Sequence, residues 1–266
     1  NFLHRLQWKM ALSNQLNSGA LNMARTYKLL SVGTNAKTVK GDGTKYTTAI
    51  IYMYPNGKIC PMSGPKMASC RGPCLVGSGL AKVFPTINIS RQKKTDLFEN
   101  DQELFLKILD KDIKKFIRDC KKDGTIPCIR LNGTSDIRYE RLIDMESYDA
   151  VFYDYTKQPN RLDRKLPKNY HLTVSYSQAT ERYKNIVEDA IKKYSDINVA
   201  VVFRDKEKIP VSFLDRPVID GNKDDLRFLD TRGSIVGLYA RGEEAKQDRS
   251  GFIVDVTEFI PVLQVS

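Results

Sequence analysis

Apolar positions along the chain follow two periods. Tyr46–Tyr54 (YTTAIIYMY), Ile126–Leu131, Tyr148–Tyr155 (YDAVFYDY), Tyr170–Tyr176 (YHLTVSY) and Asn198–Phe203 (NVAVVF) are short, β-branched and aromatic, and predict strands. Phe84–Ser90 (FPTINIS) reads as a further strand, and Val218–Ile219 and Ser234–Tyr239 as shorter ones. Between them, Asn100–Lys122 places Leu104, Ile108, Leu109, Ile113, Phe116 and Ile117 at helical spacing, with Lys107, Lys111, Lys114, Lys115 and Lys121 mostly off that stripe. Gly124 marks the end of this helix. Glu181–Tyr194 is a second amphipathic helix, with Ile186, Val187, Ala190 and Ile191 on one side.

Near-continuous apolar strands separated by amphipathic helices predict a parallel sheet covered on its outer face. Polar residues follow strand after strand, at Gly57–Cys60, Arg91, Asn132–Asp136, Thr156–Lys157, Ser177 and Arg204–Asp205. In a barrel such C-terminal tips converge on one rim, whereas an open sheet gathers only those at its switch point. The expected fold is therefore α/β, a complete or partial (β/α) TIM-like barrel with parallel strands and outer amphipathic helices. Residues 1–30 read as an N-terminal helical extension interrupted near Asn17-Ser18-Gly19, and residues 31–266 as one barrel-like domain. Val32–Lys45, with three glycines, reads as a loop.

Composition narrows the chemistry. A formal net charge of +11 favours anionic partners, either a small molecule such as a nucleotide or a nucleic acid. A solubilising excess on outer helices accounts for the same number. The apolar runs are too short to span a membrane, and residues 1–30 lack a continuous hydrophobic signal core, so a cytoplasmic protein is expected. Only His4 and His171 are present, which excludes a histidine-rich metal site. His171 begins its strand and so belongs to the end opposite the rim, where a structural role is expected.

Three of the five cysteines, Cys60, Cys70 and Cys74, are concentrated in CPMSGPKMASCRGPC as C-x9-C-x3-C. They fall in a Gly/Pro-rich connection too long for a turn, and such loops are usually functional. Three thiolates suit a soft metal, with one position left for water or substrate on zinc, or for substrate or S-adenosylmethionine on an iron–sulfur cluster. Three free thiols are the plainer reading. Cys120 and Cys128 sit on the long helix and in an apolar strand, as small hydrophobes do.

Downstream, CIRLNGTSDIRYE places Arg130, Asn132, Asp136 and Glu140 on or just after a strand, and YDYTKQPNR places Asp154 inside the next one. An unpaired buried carboxylate is costly, and Arg130 on the neighbouring strand is the expected partner of Asp154. Asp136 is equally suited to capping a helix. Thr156 and Lys157 end that strand. Ser175 lies on the small polar face of Tyr170–Tyr176, and Arg241, Gly242, Lys246 and Asp248 follow the last strand. Asn132, Asp136 and Lys157 are the candidate catalytic residues; Arg130, Thr156, Ser175 and Arg241 are candidate substrate contacts; and Cys60, Cys70 and Cys74 are candidate metal ligands. The acidic run around Asp220, Asp224 and Asp225 departs from a calcium loop, having Asp225 where glycine is required. No Walker loop, Rossmann glycine fingerprint or nucleophile elbow is present.

Two resemblances attach to these motifs. Three cysteines after the first barrel strand resemble the placement in radical S-adenosylmethionine enzymes, although only the C-x3-C half, Cys70 and Cys74, matches their spacing. Leu30-Ser31-Val32-Gly33-Thr34-Asn35-Ala36-Lys37, the cysteine loop, Asn132-Gly133-Thr134-Ser135-Asp136, Tyr153-Asp154-Tyr155-Thr156-Lys157 and Asn169–Ser175 together resemble the phage gene product 88 family over roughly residues 29–178. That resemblance implies a phage or mobile-element origin, hence the cytoplasm of a host cell, and carries no mechanism. Two functions are expected from this reading. One is a barrel enzyme using an iron–sulfur cluster (with or without S-adenosylmethionine) or another metal, for radical or Lewis-acid chemistry on an anionic, nucleotide-like substrate. The other is a non-catalytic nucleic-acid-binding protein that grips phosphates through Lys107, Lys111, Lys114 and Lys115, with a structural zinc or no metal.

Overall fold

A computed structural model describes residues 27–32, 45–74 and 83–256. Most of the expected N-terminal helical extension and most of the Val32–Lys45 loop lie outside the described residues. Nine strands form one sheet: β1 (Leu30–Val32), β2 (Tyr46–Ile51), β3 (Ile126–Arg130), β4 (Val151–Thr156), β5 (Tyr170–Ser175), β6 (Asn198–Phe203), β7 (Ser212–Phe213), β8 (Arg216–Asp220) and β9 (Ile235–Tyr239). Their order is β1-β2-β3-β4-β5-β6-β9-β8-β7. From β2 to β8 every neighbouring pair is parallel. β1 is antiparallel to β2, and β7 and β8 make a hairpin whose Leu214 and Asp215 take φ of 50° and 58°, as a twist-matched two-residue turn requires.

Among the described residues no pairing joins β1 to β7. The sheet is thus a mixed, mostly parallel α/β sheet with open ends, each covered by a short antiparallel strand where a closed barrel would have its parallel strands meet.

Among the described residues four helices accompany it: α1 (Pro85–Asn100), α2 (Gln102–Lys122), α3 (Glu181–Lys193) and the short α4 (Glu243–Gln247). α2 starts where Asp101 accepts the Leu104 N–H at 3.0 Å, and it ends at Gly124 with φ of 68°. Its buried stripe (Phe105, Ile108, Leu109, Ile113, Phe116, Ile117, Cys120) packs on Ile51, Ile129 and Phe152 of the sheet's outer face. Each such large side chain contributes about 1.5–3 kcal/mol when buried, against about 0.2–0.5 kcal/mol for each helical ion pair, so the apolar face decides the docking. α3, capped by Thr180, packs Tyr183 and Val187 on Val174, Val199 and Val201.

Phe84–Ser90 is not a strand: Pro85 opens α1 at the first helical position. Proline has no N–H to lose there and its φ is already helical. The β-branched run Thr86–Ile89 is overruled by anchors further along the helix. The Thr95 hydroxyl donates to the Tyr54 carbonyl and accepts from the Tyr54 N–H, both at 2.9 Å, and Lys94 Nζ donates to the Leu29 carbonyl at 2.8 Å.

The inner face is filled by the turn Arg227–Leu229 between β8 and β9. Its Phe228 ring lies 5.3 Å from Tyr46, 5.5 Å from Tyr153 and 6.0 Å from His171, touching β2, β4 and β5 together. His171 therefore sits at the N-terminal end of β5, away from the strand tips.

Candidate functional site

The C-terminal ends of the parallel strands border one cavity of about 1100 Å³. All three cysteines of the loop line it, as do Arg130, Asn132 and Asp136. So do Thr156 and Lys157 at the tip of β4, Ser175 on β5 and Arg241 after β9. The cavity thus gathers the candidate ligands, catalytic residues and substrate contacts, while the strand-tip residues Ser177, Arg204 and Asp205 are not part of its lining. Lys246 and Asp248 are turned to other work: the Lys246 carbonyl accepts from Arg204, and Asp248 accepts from Ser250.

Bordering a cavity is not the same as being free to act in it. Asn132, 2% exposed, is saturated. Its N–H and side-chain amide donate to Asp154 (2.7 and 3.1 Å), the amide also donates to the Ile137 carbonyl, and its Oδ1 accepts from Ser135 and from the Ile137 N–H. Asp136 is also occupied: it accepts from the Thr156 hydroxyl at 2.8 Å, from the Lys157 N–H at 2.8 Å and from Arg161 at 3.0 Å. Arg161 is buried, and it spans Asp136, Glu140 and the Tyr170 hydroxyl. Tyr170 in turn donates to Asp154 at 3.0 Å. These residues form one buried polar knot that orients the strand tips. Burial raises the Asp154 carboxyl to about 6, against the opposing pull of Arg130, the Asn132 N–H, Arg161 and Tyr170.

Arg130 is not the hydrogen-bonding partner expected for Asp154. In the β3–β4 register Ile129 is level with Phe152, so Arg130 shares the inner face with Tyr153 while Asp154 faces outward. Arg130 instead pairs with Asp225 at 2.9 Å. Asp224 pairs with Arg227 at 3.0 Å, so the acidic run serves arginines.

Lys157 lines the cavity. Its Nζ donates to Ser175 Oγ at 2.9 Å, lies 4.8 Å from the Phe252 ring centre, and has no carboxylate partner among the described residues. Arg91 also lines the cavity, carried by α1 and not by a strand tip, with its guanidinium 5.2 Å from the Tyr52 ring. Tyr52 directly follows β2 and Tyr239 ends β9, positions that mark both as tip residues, whereas Phe252 lies well beyond the last strand and carries no such signal.

The thiol loop is tied to the fold. The Asp136 N–H donates to the Ile59 carbonyl at 2.7 Å, Ser177 Oγ to the Ala68 carbonyl at 2.7 Å, and Thr180 Oγ1 to the Met67 carbonyl at 3.1 Å. Ser69, immediately before Cys70, takes φ of 53°. Burial pushes the Cys60 thiol up to about 12, reinforced by Asp136, Cys70 and Cys74, while Lys157 opposes it. The three sulfurs therefore sense one another. As they stand, no group of three or more His, Cys, Asp or Glu side chains among the described residues is arranged to hold a metal. Their donor chemistry suits a soft metal, but in this structure the three sulfurs are not grouped to hold one.

On α2, Lys107, Lys114 and Lys115 pair with Glu103, Asp110 and Asp119. Among the described residues no helix is long and apolar enough to cross a membrane.

The family model described as Gene product 88 matches residues 26–256. No curated protein and no solved structure matches.

Proposed function

The chain belongs to the gene product 88 family, and from the chemistry of its cavity we propose that it is a phage-encoded enzyme acting on an anionic substrate. Cys60, Cys70 and Cys74 would hold an iron–sulfur cluster or another thiophilic metal beside that substrate. One observation carries the reading: the three thiols and the carboxylate-free ammonium of Lys157 line the same cavity, at the end of the sheet where α/β enzymes build their sites. A curved, partial (β/α) barrel accords with strand tips from β2 to β8 bordering one cavity and with Phe228 reaching β2, β4 and β5 from the concave side.

The chain's own residues divide the work. Lys157, oriented through Ser175 and Phe252, neutralises the substrate's negative charge. Asp136 and Asn132 are positioning residues: the first fixes the Lys157 backbone, and the second fixes the turn after β3. A bound cluster or metal would supply one-electron or Lewis-acid chemistry. Uptake would draw the Cys60–Cys74 loop together and displace thiol protons.

Anaerobic reconstitution with iron and sulfide tests the proposal. Brown charge-transfer absorption is expected in the wild type and in Cys120→Ala, and its loss in Cys60→Ala, Cys70→Ala and Cys74→Ala. A wild-type protein that stays colourless and takes up no zinc by elemental analysis overturns the thiol-held centre. The alternative, nucleic-acid binding through the α2 lysines, has less support, because Lys107, Lys114 and Lys115 already have carboxylate partners.

A further inference from the structure

Four of the six cations lining the cavity rest on an aromatic ring: Arg91 on Tyr52 (5.2 Å), Arg130 on Tyr155 (4.6 Å), Lys157 on Phe252 (4.8 Å) and Arg241 on Tyr239 (4.9 Å), while Arg71 donates to Ser63 and Lys94 to the Leu29 carbonyl. Only Arg130 also has a carboxylate, Asp225; Arg91, Lys157 and Arg241 have none among the described residues. The difference matters electrostatically. A carboxylate fixes a cation and cancels its charge, whereas a ring quadrupole fixes the cation and leaves the charge in place. On α2, by contrast, Lys107, Lys114 and Lys115 each have a carboxylate partner. Here three positive charges are positioned and left uncompensated around one space, beside low-dielectric walls that strengthen their field.

A monoanion would neutralise a minority of that charge, while a chain of adjacent anionic groups answers all of it. Guanidinium groups match phosphate oxygens in paired hydrogen bonds, and an ammonium already oriented by a serine hydroxyl suits a further oxygen. The volume of about 1100 Å³ lies at the upper end of ordinary small-molecule sites, about 300–1000 Å³, and admits a ligand of nucleotide size.

We infer that the cavity binds a polyphosphate group, free or as the tail of a nucleotide, between Lys157, Arg241 and Arg91. The inference rests on reading this cavity as the anionic-ligand site and does not depend on the thiol-held centre.

Calorimetric titration of the metal-free protein with tripolyphosphate, ATP, inorganic phosphate and adenosine tests it. Tripolyphosphate is expected to bind at least about tenfold more tightly than phosphate, and adenosine not measurably. Lys157→Met and Arg241→Met should each weaken tripolyphosphate by about tenfold or more. Phe252→Leu, which keeps an apolar side chain but removes the ring, should weaken it severalfold, and Lys107→Met on α2 should leave it unchanged. ATP binding tighter than tripolyphosphate supports the nucleotide tail as the source; equal affinity supports the free polyphosphate. Tripolyphosphate binding no tighter than phosphate, adenosine matching ATP, or affinity unchanged in folded Lys157→Met and Arg241→Met overturns the inference. Failure here with a brown reconstituted protein removes the polyphosphate and spares the thiol centre; the reverse pattern does the opposite.

Discussion

The Asp136 carboxylate accepts the backbone N–H of Lys157 at 2.8 Å, while the N–H of Asp136 itself donates to the Ile59 carbonyl, next to Cys60, at 2.7 Å. One residue thus couples the thiol loop to the strand tip that carries the cavity's uncompensated ammonium. Its second oxygen also satisfies Arg161, which is buried. Asp136→Ala is expected to cost about 3–5 kcal/mol of stability, because it strips a partner from a buried charge. Urea denaturation reads this directly, and a loss under about 1 kcal/mol would show that the knot is not cooperative.

Metal uptake should depend on pH through Cys60. Its thiol is raised to about 12, chiefly by burial, so it is protonated at neutral pH and must lose that proton to become a ligand. Affinity for zinc is therefore expected to climb as pH rises from about 6 to about 9, with proton release on binding. A flat profile from competition titrations would remove Cys60 from the ligand set.

Gly133 separates the two kinds of glycine in the site. A Cβ there would meet the Ile51 carbonyl oxygen at 2.6 Å, Ile50 Cγ2 at 2.7 Å and Tyr52 Cδ1 at 2.9 Å, whereas a Cβ at Gly64 meets nothing within 4 Å. Gly133→Ala is expected to destabilise by about 1–3 kcal/mol and to displace the Tyr52 ring from the cavity wall. Gly64→Ala should stay within about 0.5 kcal/mol of wild type. Thermal melts of the two variants side by side check the contrast, and equal midpoints would contradict it.

Asp154 makes a pH prediction of defined sign. Its carboxyl is raised to about 6 from an ordinary 3.8, so between those values the folded state holds more protons than the unfolded one. Its contribution to stability falls as pH rises through that window, by up to about 3 kcal/mol, and levels off above about 6. His171, lowered by burial and by Arg232, acts with the opposite sign as pH falls through the ordinary imidazole range. Burial raises Asp230 to about 6 as well, so the stability difference between wild type and Asp154→Asn, taken at each pH, isolates the Asp154 carboxylate. A difference that grows from about pH 4 to about pH 6 would refute the assignment, and carboxyl-carbon NMR should place the Asp154 midpoint near 6.

Much of the architecture was legible because it follows from local rules. The stripe on α2, with Asp101 before it and Gly124 after it, specifies a helix wherever it lies. Apolar runs followed by polar tips specify strands with a direction, and parallel direction alone brings the tips to one end. That is why the cysteines, Asn132, Asp136, Lys157, Ser175 and Arg241 all border one cavity. Phe84–Ser90 misled because β-branched residues report a local preference, while the anchors that make α1 a helix, Thr95 to Tyr54 and Lys94 to Leu29, join residues far apart in the chain.

What the residue order determined by itself was the set of elements, their direction, and which side chains stand at which end, since period and capping are properties of neighbours along the chain. Tertiary structure alone decided who pairs with whom. A one-residue parity in the β3–β4 register turns Arg130 inward to Asp225 and Asp154 outward to Asn132 and Tyr170. The Arg227–Leu229 turn brings Phe228 against Tyr46 of β2 and His171 of β5, and the rings beneath Arg91, Lys157 and Arg241 leave their charge unspent. Charge compensation depends on distances in space, and those exist only once the sheet has brought its strand tips together at the cavity.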